Sequence, residues 1–347
     1  MNLLSTGKQK LIAYLIIWAL QCPTLAGYAA AVTPDASAGE NAPAVNGQNG
    51  VPVVSIVKPN ETGLSHNKFT DFNVGIPGLI FNNNAGSTAV TSKLAGPINP
   101  NTGLDGQAAA IILNEVTGGN ISRLNGMMEV AGNKAAIIIA NPNGIVGNGF
   151  GFINTSRASL VTGTPNIVGG NIDSFTITGG KIAIEGTGNA PDFDEETGTF
   201  VNQPVSKLDI MTRAAAINAD LWAQDEINII TGANTVNYQT LAVTPIDSPL
   251  ADKPDIALDV AALGGMYAGK IQLVGTEKGL GYNIQGDIYA NNSLAITNDG
   301  KITFIQNDKQ YIEDGELHTD ETSIVSDGSI QITAAGDIEN KGQLAAR

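Results

Sequence analysis

The chain has 347 residues, 5% of them aromatic and 15% charged, with 41 glycines against two tryptophans. Its interior must therefore be built from small and β-branched side chains in thin layers, not around one aromatic-rich centre. A net charge of −15 excludes a phosphate-tracking surface, because nucleic-acid binders need clustered Lys and Arg, and no basic run occurs beyond the first ten residues.

Lys8 and Lys10 precede an apolar run at 11–20, "LIAYLIIWAL", which is followed by "QCPTLAGYAAA". A short positive region, about ten apolar residues and small residues at −3 and −1 predict a secretory signal over 1–31. Cleavage after Ala31 puts Ala29 and Ala31 at those positions; cleavage after Ala29 is nearly as good. The run is shorter than the ~20 residues a spanning helix needs, and Gln21 stands where a lipoprotein has a small residue before its cysteine. Loss of 1–31 would remove Cys22, the one cysteine, and leave 16 bases facing 33 acids. Disulfides and cysteine metal sites are then impossible.

Residues 32–50, "VTPDASAGENAPAVNGQNG", read as a flexible leader with nothing to bury. From Val51 the texture changes to strand-length apolar runs bounded by turn residues, among them "VPVVSIV", "AAAIIL", "KAAIIIA", "KIAIEG", "INII" and "KIQLVG". Nothing sustains a 3.6-residue period; the nearest, 207–224, keeps no helical face. At 141–144, Asn-Pro-Asn-Gly fits a type I turn position by position, which predicts a corner between a strand ending at Ala140 and one resuming at Ile145. "GNGFG" at 147–151 lacks the strand–glycine–helix setting of a dinucleotide site.

The acidic stretch 191–200, "PDFDEETGTF", imitates part of a calcium loop, but Thr197 stands where glycine is required and Gln203 where the loop ends in Glu. An exposed hairpin tip is the expectation. His66 and His318 have no metal-ligand spacing, and neighbouring Ser65 and His66 on a strand would face opposite ways. Near the end, "NSLAITNDGKIT" (292–303) and "GSIQITAAGDIE" (328–339) align at an offset of 36, so that Leu294 matches Ile330, Ile296 matches Ile332 and Ile302 matches Ile338. "SFTITGGKIAIEG" (174–186) reads the same way, as strand, glycine corner, strand. Such repetition predicts a solenoid of parallel coils, a β-helix; a β-sandwich would want hairpin turns and a denser aromatic core.

In order along the chain, "GLSHNKFTDFNV" (63–74), "GLIFNN" (78–83), "ILNEVTGGNISRLNGMMEVAG" (112–132), "IIANPNGI" (138–145) and "GFINTSRASLVTG" (151–163) resemble the secretion domain of filamentous-haemagglutinin-type TpsA exoproteins, exported by two-partner secretion. The resemblance extends through "LDIMTRAAAINADLWA", "INIITGANTVNY" and "ALDVAALGGMYAGKIQLVGTEKGLG".

The resemblance implies an all-β fold, a right-handed parallel β-helix with an N-terminal cap and extra-helical strands and hairpins. The domains implied are a signal peptide at 1–31, the leader at 32–50, the secretion domain at 51–285, and the start of β-helix repeats, cut off in mid-repeat, at 286–347. It also implies Sec export, recognition by the periplasmic POTRA domains of a TpsB-type outer-membrane transporter, and delivery to the surface of a Gram-negative cell. The passenger would be an adhesin, a haemolysin or a contact-dependent inhibition toxin, meeting a host or neighbouring cell.

The residues implied in secretion are Asn99, Pro100 and Asn101 together with Asn141, Pro142, Asn143, Gly144 and Ile145. Two departures stand out: relatives read NPN directly followed by Leu where this chain has "NPNTGL" (99–104), and a Cys-x-x-Cys of many relatives is replaced by Gly147 and Phe150. No enzyme, cofactor, metal or nucleic-acid partner is expected. The rival readings are a self-sufficient adhesin and, more remotely, a polysaccharide-active β-helix enzyme, which would need carboxylates gathered on one groove.

Overall fold

The computed structural model describes residues 32–347 apart from 190, 192, 195–198, 201–202, 247–252, 307, 314–315 and 322. The signal expected at 1–31 and the tip of the acidic hairpin lie outside the described residues. Among the described residues the chain winds around three mainly parallel sheets of 13, 8 and 5 strands. Ile111–Val116, Ser122–Leu124 and Met127–Gly132 occupy the three faces in turn; Ala135–Ala140, Ile145–Asn148 and Gly151–Ile153 repeat the circuit one coil on. The molecule is a parallel β-helix.

Strand alternation explains the core. Ile112 pairs with Ile137, Leu208 with Ile227, and Ile271 with Leu294 on the 13-stranded face. These residues stack down the interior at 1% exposure or less, and each contributes roughly 1.5–3 kcal/mol by leaving water. The offset of 36 also appears as register: Leu294 pairs with Ile330, Ile296 with Ile332 and Ile302 with Ile338. It exceeds a bare coil because the antiparallel pair Asp308–Glu313 and Glu316–Glu321 is inserted between the two repeats.

Two expectations are corrected. The leader at 32–50 is a cap, not a flexible tail: Val32–Pro34 pairs antiparallel with Leu64–Phe72, and Ala44–Gln48 pairs antiparallel with Val51–Ser55. Asn49 and Gly50 join that second pair with φ of 51° and 80°, the conformation for which Asn-Gly hairpins are selected. Between them, Asp35 caps the 3-10 turn Ala36–Asn41, its Oδ1 accepting from the Ser37 amide at 2.9 Å. The strand at 174–177 is not part of a coil either. Asn171–Ile177 joins Thr164–Val168, Asn234–Asn237 and Val243–Pro245 in an antiparallel extra-helical sheet.

That sheet explains the uninterrupted "AAIIIA". Ile137 and Ile139 face the helix interior. Ile138, between them, faces outward and is nevertheless fully buried, with Leu113, Met211 and Ile230, against Phe175, Val236 and Tyr238 of the extra-helical sheet. A strand covered on both faces loses its alternation in sequence.

Candidate functional site

The corner at 141–144 lies between Ala135–Ala140 on the first face and Ile145–Asn148 on the second, and the Gly144 amide donates to the Asn141 carbonyl at 3.1 Å. Asn141 is the fully buried member. Its Nδ2 donates to the Asn120 carbonyl and to Ser122 Oγ, both at 2.9 Å, while its Oδ1 accepts from the Asn143 amide and Asn143 Nδ2, both at 3.0 Å. Its own amide donates to Val161 O at 2.8 Å, so one side chain and its backbone tie together three successive coils. Gly144 has φ of 126°, and a Cβ there would lie 2.9 Å from the Lys181 carbonyl oxygen, so no other residue fits without strain. Ile145 is buried in the core, Pro142 is half-buried, and Asn143 is exposed with its Nδ2 donating to Gly118 O at 2.8 Å.

The corner at 99–104 uses the same device two residues later in its motif. Asn101, not Asn99, is the buried asparagine. Its Nδ2 donates to the carbonyls of Ile56 and Asn82 at 3.0 and 3.1 Å, and its Oδ1 accepts from the Gly103 amide at 3.1 Å. The Leu104 amide donates to the Asn101 carbonyl at 3.1 Å, as Gly144 does to Asn141. The interposed Thr102-Gly103 thus forms a 3-10 turn, Thr102–Leu104, capped by Asn101. Asn99 is exposed, its carbonyl accepting from Asn82 Nδ2 at 3.0 Å, and Pro100 is half-buried. The two corners sit on different supports, Asn101 on the segments around Ile56 and Asn82, and Asn141 on the coil of Asn120 and Ser122.

The glycines of "GNGFG" serve packing. A Cβ at Gly147 would meet the Phe150 ring at 2.6 Å, and Phe150 is buried in the core that this space opens. Ser65 and His66 face apart: Ser65 Oγ donates inward to Val57 O at 2.7 Å, whereas His66 Nε2 lies 2.6 Å from Glu115 Oε2. Burial alone would raise the Glu115 carboxyl, but the hydrogen bond and charge of His66, with Lys68 at 3.5 Å, outweigh it and hold the group below the usual range. Sequence reasoning missed Glu129, which is buried and accepts from Ser92 Oγ at 2.7 Å and from the Lys93 and Leu94 amides at 2.8 and 3.0 Å. It anchors the hairpin formed by Val90–Ser92 and Gly96–Ile98. It also missed Arg157, whose Nε lies 2.5 Å from Asp209 Oδ2 and whose guanidinium covers the Tyr238 ring at 4.2 Å. Neither carries a sequence signal, because each partner lies dozens of residues away.

The TPS secretion domain matches residues 30–304. The fold is similar to the crystal structure of a filamentous hemagglutinin secretion domain, with a TM-score of 0.74 and 30% identity over 90% of this chain and 96% of that chain. The chain is 36% identical over 305 residues to a tRNA nuclease CdiA of Yersinia mollaretii, covering 85% of this chain and 9% of that protein. It is 37% identical over 341 residues to a 16S rRNA endonuclease CdiA of Enterobacter cloacae, covering 98% and 10%. With a hemolysin of Proteus mirabilis the identity is 34% over 324 residues, covering 92% and 19%. The chain therefore spans about a tenth of the length of those nucleases and about a fifth of that hemolysin.

Proposed function

The chain belongs to the TPS secretion-domain family, shared by CdiA toxins, haemolysin and filamentous haemagglutinin, and on that premise we propose that a TpsB-type outer-membrane transporter reads it and threads the attached exoprotein outward. The observation that carries this reading is the likeness to a solved secretion domain along 96% of that chain. Exoproteins of this family are secreted or surface-exposed in Gram-negative bacteria.

The mechanism is binding without chemistry. Brought to the periplasm by Sec, the chain, with 16 bases facing 33 acids once the signal is lost, docks on the transporter's POTRA domains by strand addition and charge attraction. At the cell surface the cap closes one end of the solenoid, so that coils add only at the other; each new coil pairs with a finished edge. Asn99, Pro100, Asn101 and the corner 141–145 serve export by fixing the first coils in the conformation from which this growth starts. The passenger carried behind them acts in adhesion, haemolysis or contact-dependent toxin delivery at a host or neighbouring cell.

The test is secretion of the chain by cells that also make the transporter. The parent should accumulate in the medium, and a deletion of 141–145 should remain in the periplasm. Deletion with undiminished secretion overturns the role of the corner. Asn143→Ala separates the two ways the corner could act: it should secrete normally if the corner works through the fold, and fail while folding normally if the exposed side chain is itself read.

A further inference from the structure

Late coils bring three aromatic residues into one line on the outer surface. The strand Asp220–Trp222 and the first parts of Gly265–Gly275 and Asp287–Asn298 stack in register, placing Trp222, Tyr267 and Tyr289 along the solenoid axis. Their strand neighbours Leu221, Met266 and Ile288 are fully buried, so alternation turns the three rings outward. Trp222 and Tyr267 stack with centroids 4.2 Å apart and planes inclined by 16°. Tyr289 is 37% exposed, with its hydroxyl donating to Asp327 Oδ2 at 2.7 Å. Beside the rings lies a cavity of 390 Å³, within the size range of small-ligand sites, and Gln203, Gln224 and Asn291 are among the residues that line it. Among the described residues no Lys, Arg, Asp or Glu lines it.

We propose that this groove binds a neutral oligosaccharide. Sugar rings present C–H faces that pack on aromatic surfaces, and hydroxyls that both donate to and accept from amides. Gln224 Nε2 already donates to Gln203 Oε1 at 3.1 Å, which leaves that pair oriented with donors and acceptors to offer. A groove without cations, on a chain of net charge −15, repels sulfated or carboxylated glycans. An extended peptide is disfavoured for a different reason. The Trp222 amide donates to Asn189 Oδ1 at 2.8 Å and its carbonyl accepts from Asn189 Nδ2 at 3.0 Å. The asparagine side chain stands where an added strand would pair.

The purified chain is titrated by calorimetry and tryptophan fluorescence with cellohexaose, chitohexaose and laminarihexaose, and in parallel with a heparin hexasaccharide and a twelve-residue apolar peptide. At least one neutral hexasaccharide should bind with a Kd below about 1 mM. Tyr289→Ala and Gln224→Ala should each weaken it about tenfold, whereas Tyr289→Phe, which keeps the ring, should bind as the parent does. All three variants should keep the parent's circular dichroism and its secretion, which separates this site from the export role. The proposal is overturned if no neutral hexasaccharide binds below about 1 mM, if the alanine variants bind like the parent, or if only heparin or the peptide binds.

Discussion

Asn141 and Asn101 perform one task with different sequence neighbours. Each buries its side chain, donates twice from Nδ2 to an earlier coil or cap segment, and accepts from the amide two residues on. The turn at 141–144 was legible in the sequence because proline and glycine report local backbone needs. Which asparagine goes inside was not, because that depends on carbonyls such as those of Asn120 and Asn82, set by coil stacking. Asn141→Ala should therefore cost about 2–3 kcal/mol, since it strands buried partners. Pro142→Ala should cost no more than about 1 kcal/mol, the effect of a freer unfolded chain. Urea unfolding of the two variants side by side checks the ranking. Glu115 adds a pH dependence: its folded-state carboxyl is held below the usual range by His66 and Lys68 against the pull of burial. The stability it contributes is full above about pH 4.3 and disappears as pH falls through the lowered folded value. His66→Ala should flatten this acid limb in thermal melts taken between pH 2 and 6.

At the scale of the element, the extra-helical sheet is joined to the solenoid by an apolar layer and by polar contacts, among them a clamp centred on Asp209. Asp209, 1% exposed, accepts from Arg157 Nε, from Ser159 Oγ at 2.8 Å and from Asn228 Nδ2 at 3.0 Å. Arg157 in turn donates from Nη2 to the Tyr238 carbonyl at 2.9 Å. Arg157→Met leaves a buried carboxylate without its cation, a loss of about 3–5 kcal/mol. Adding Asp209→Asn should restore much of it. Thermal melts of the single and double variants, with amide exchange over 164–177, would distinguish this clamp from an ornamental surface pair, for which both variants would melt like the parent. The strands of this sheet show the limit of pattern reading. "SFTIT" has the alternation of a coil strand, and its antiparallel partners at 164–168 and 234–237 decide that it leaves the helix. The cap was legible in principle, since Asn49-Gly50 is a strong hairpin signal. Its polar surroundings made it read as linker instead.

For the whole molecule, the sequence carried the architecture better than the details. Apolar alternation, glycine corners and the late repeat all describe the same coil, and the matched residues Leu294 and Ile330 are direct neighbours in the ladder. Consistency among these signals is what a repetitive fold provides, because every coil solves the same packing problem. What stayed hidden was how the extra-helical sheet is assembled, because its strands pack by contacts peculiar to themselves.

The same sheet changes how the solenoid can come apart. A stack of coils ordinarily frays one layer at a time, each layer answering only to its neighbours. Here Asn171–Ile177 is paired to Asn234–Asn237, and the loop of chain between them contains the strands Lys181–Glu185, Lys207–Thr212 and Glu226–Thr231. The pairing behaves as a buckle. Fastening it closes a long loop around those strands, and once fastened it couples the opening of the enclosed layers.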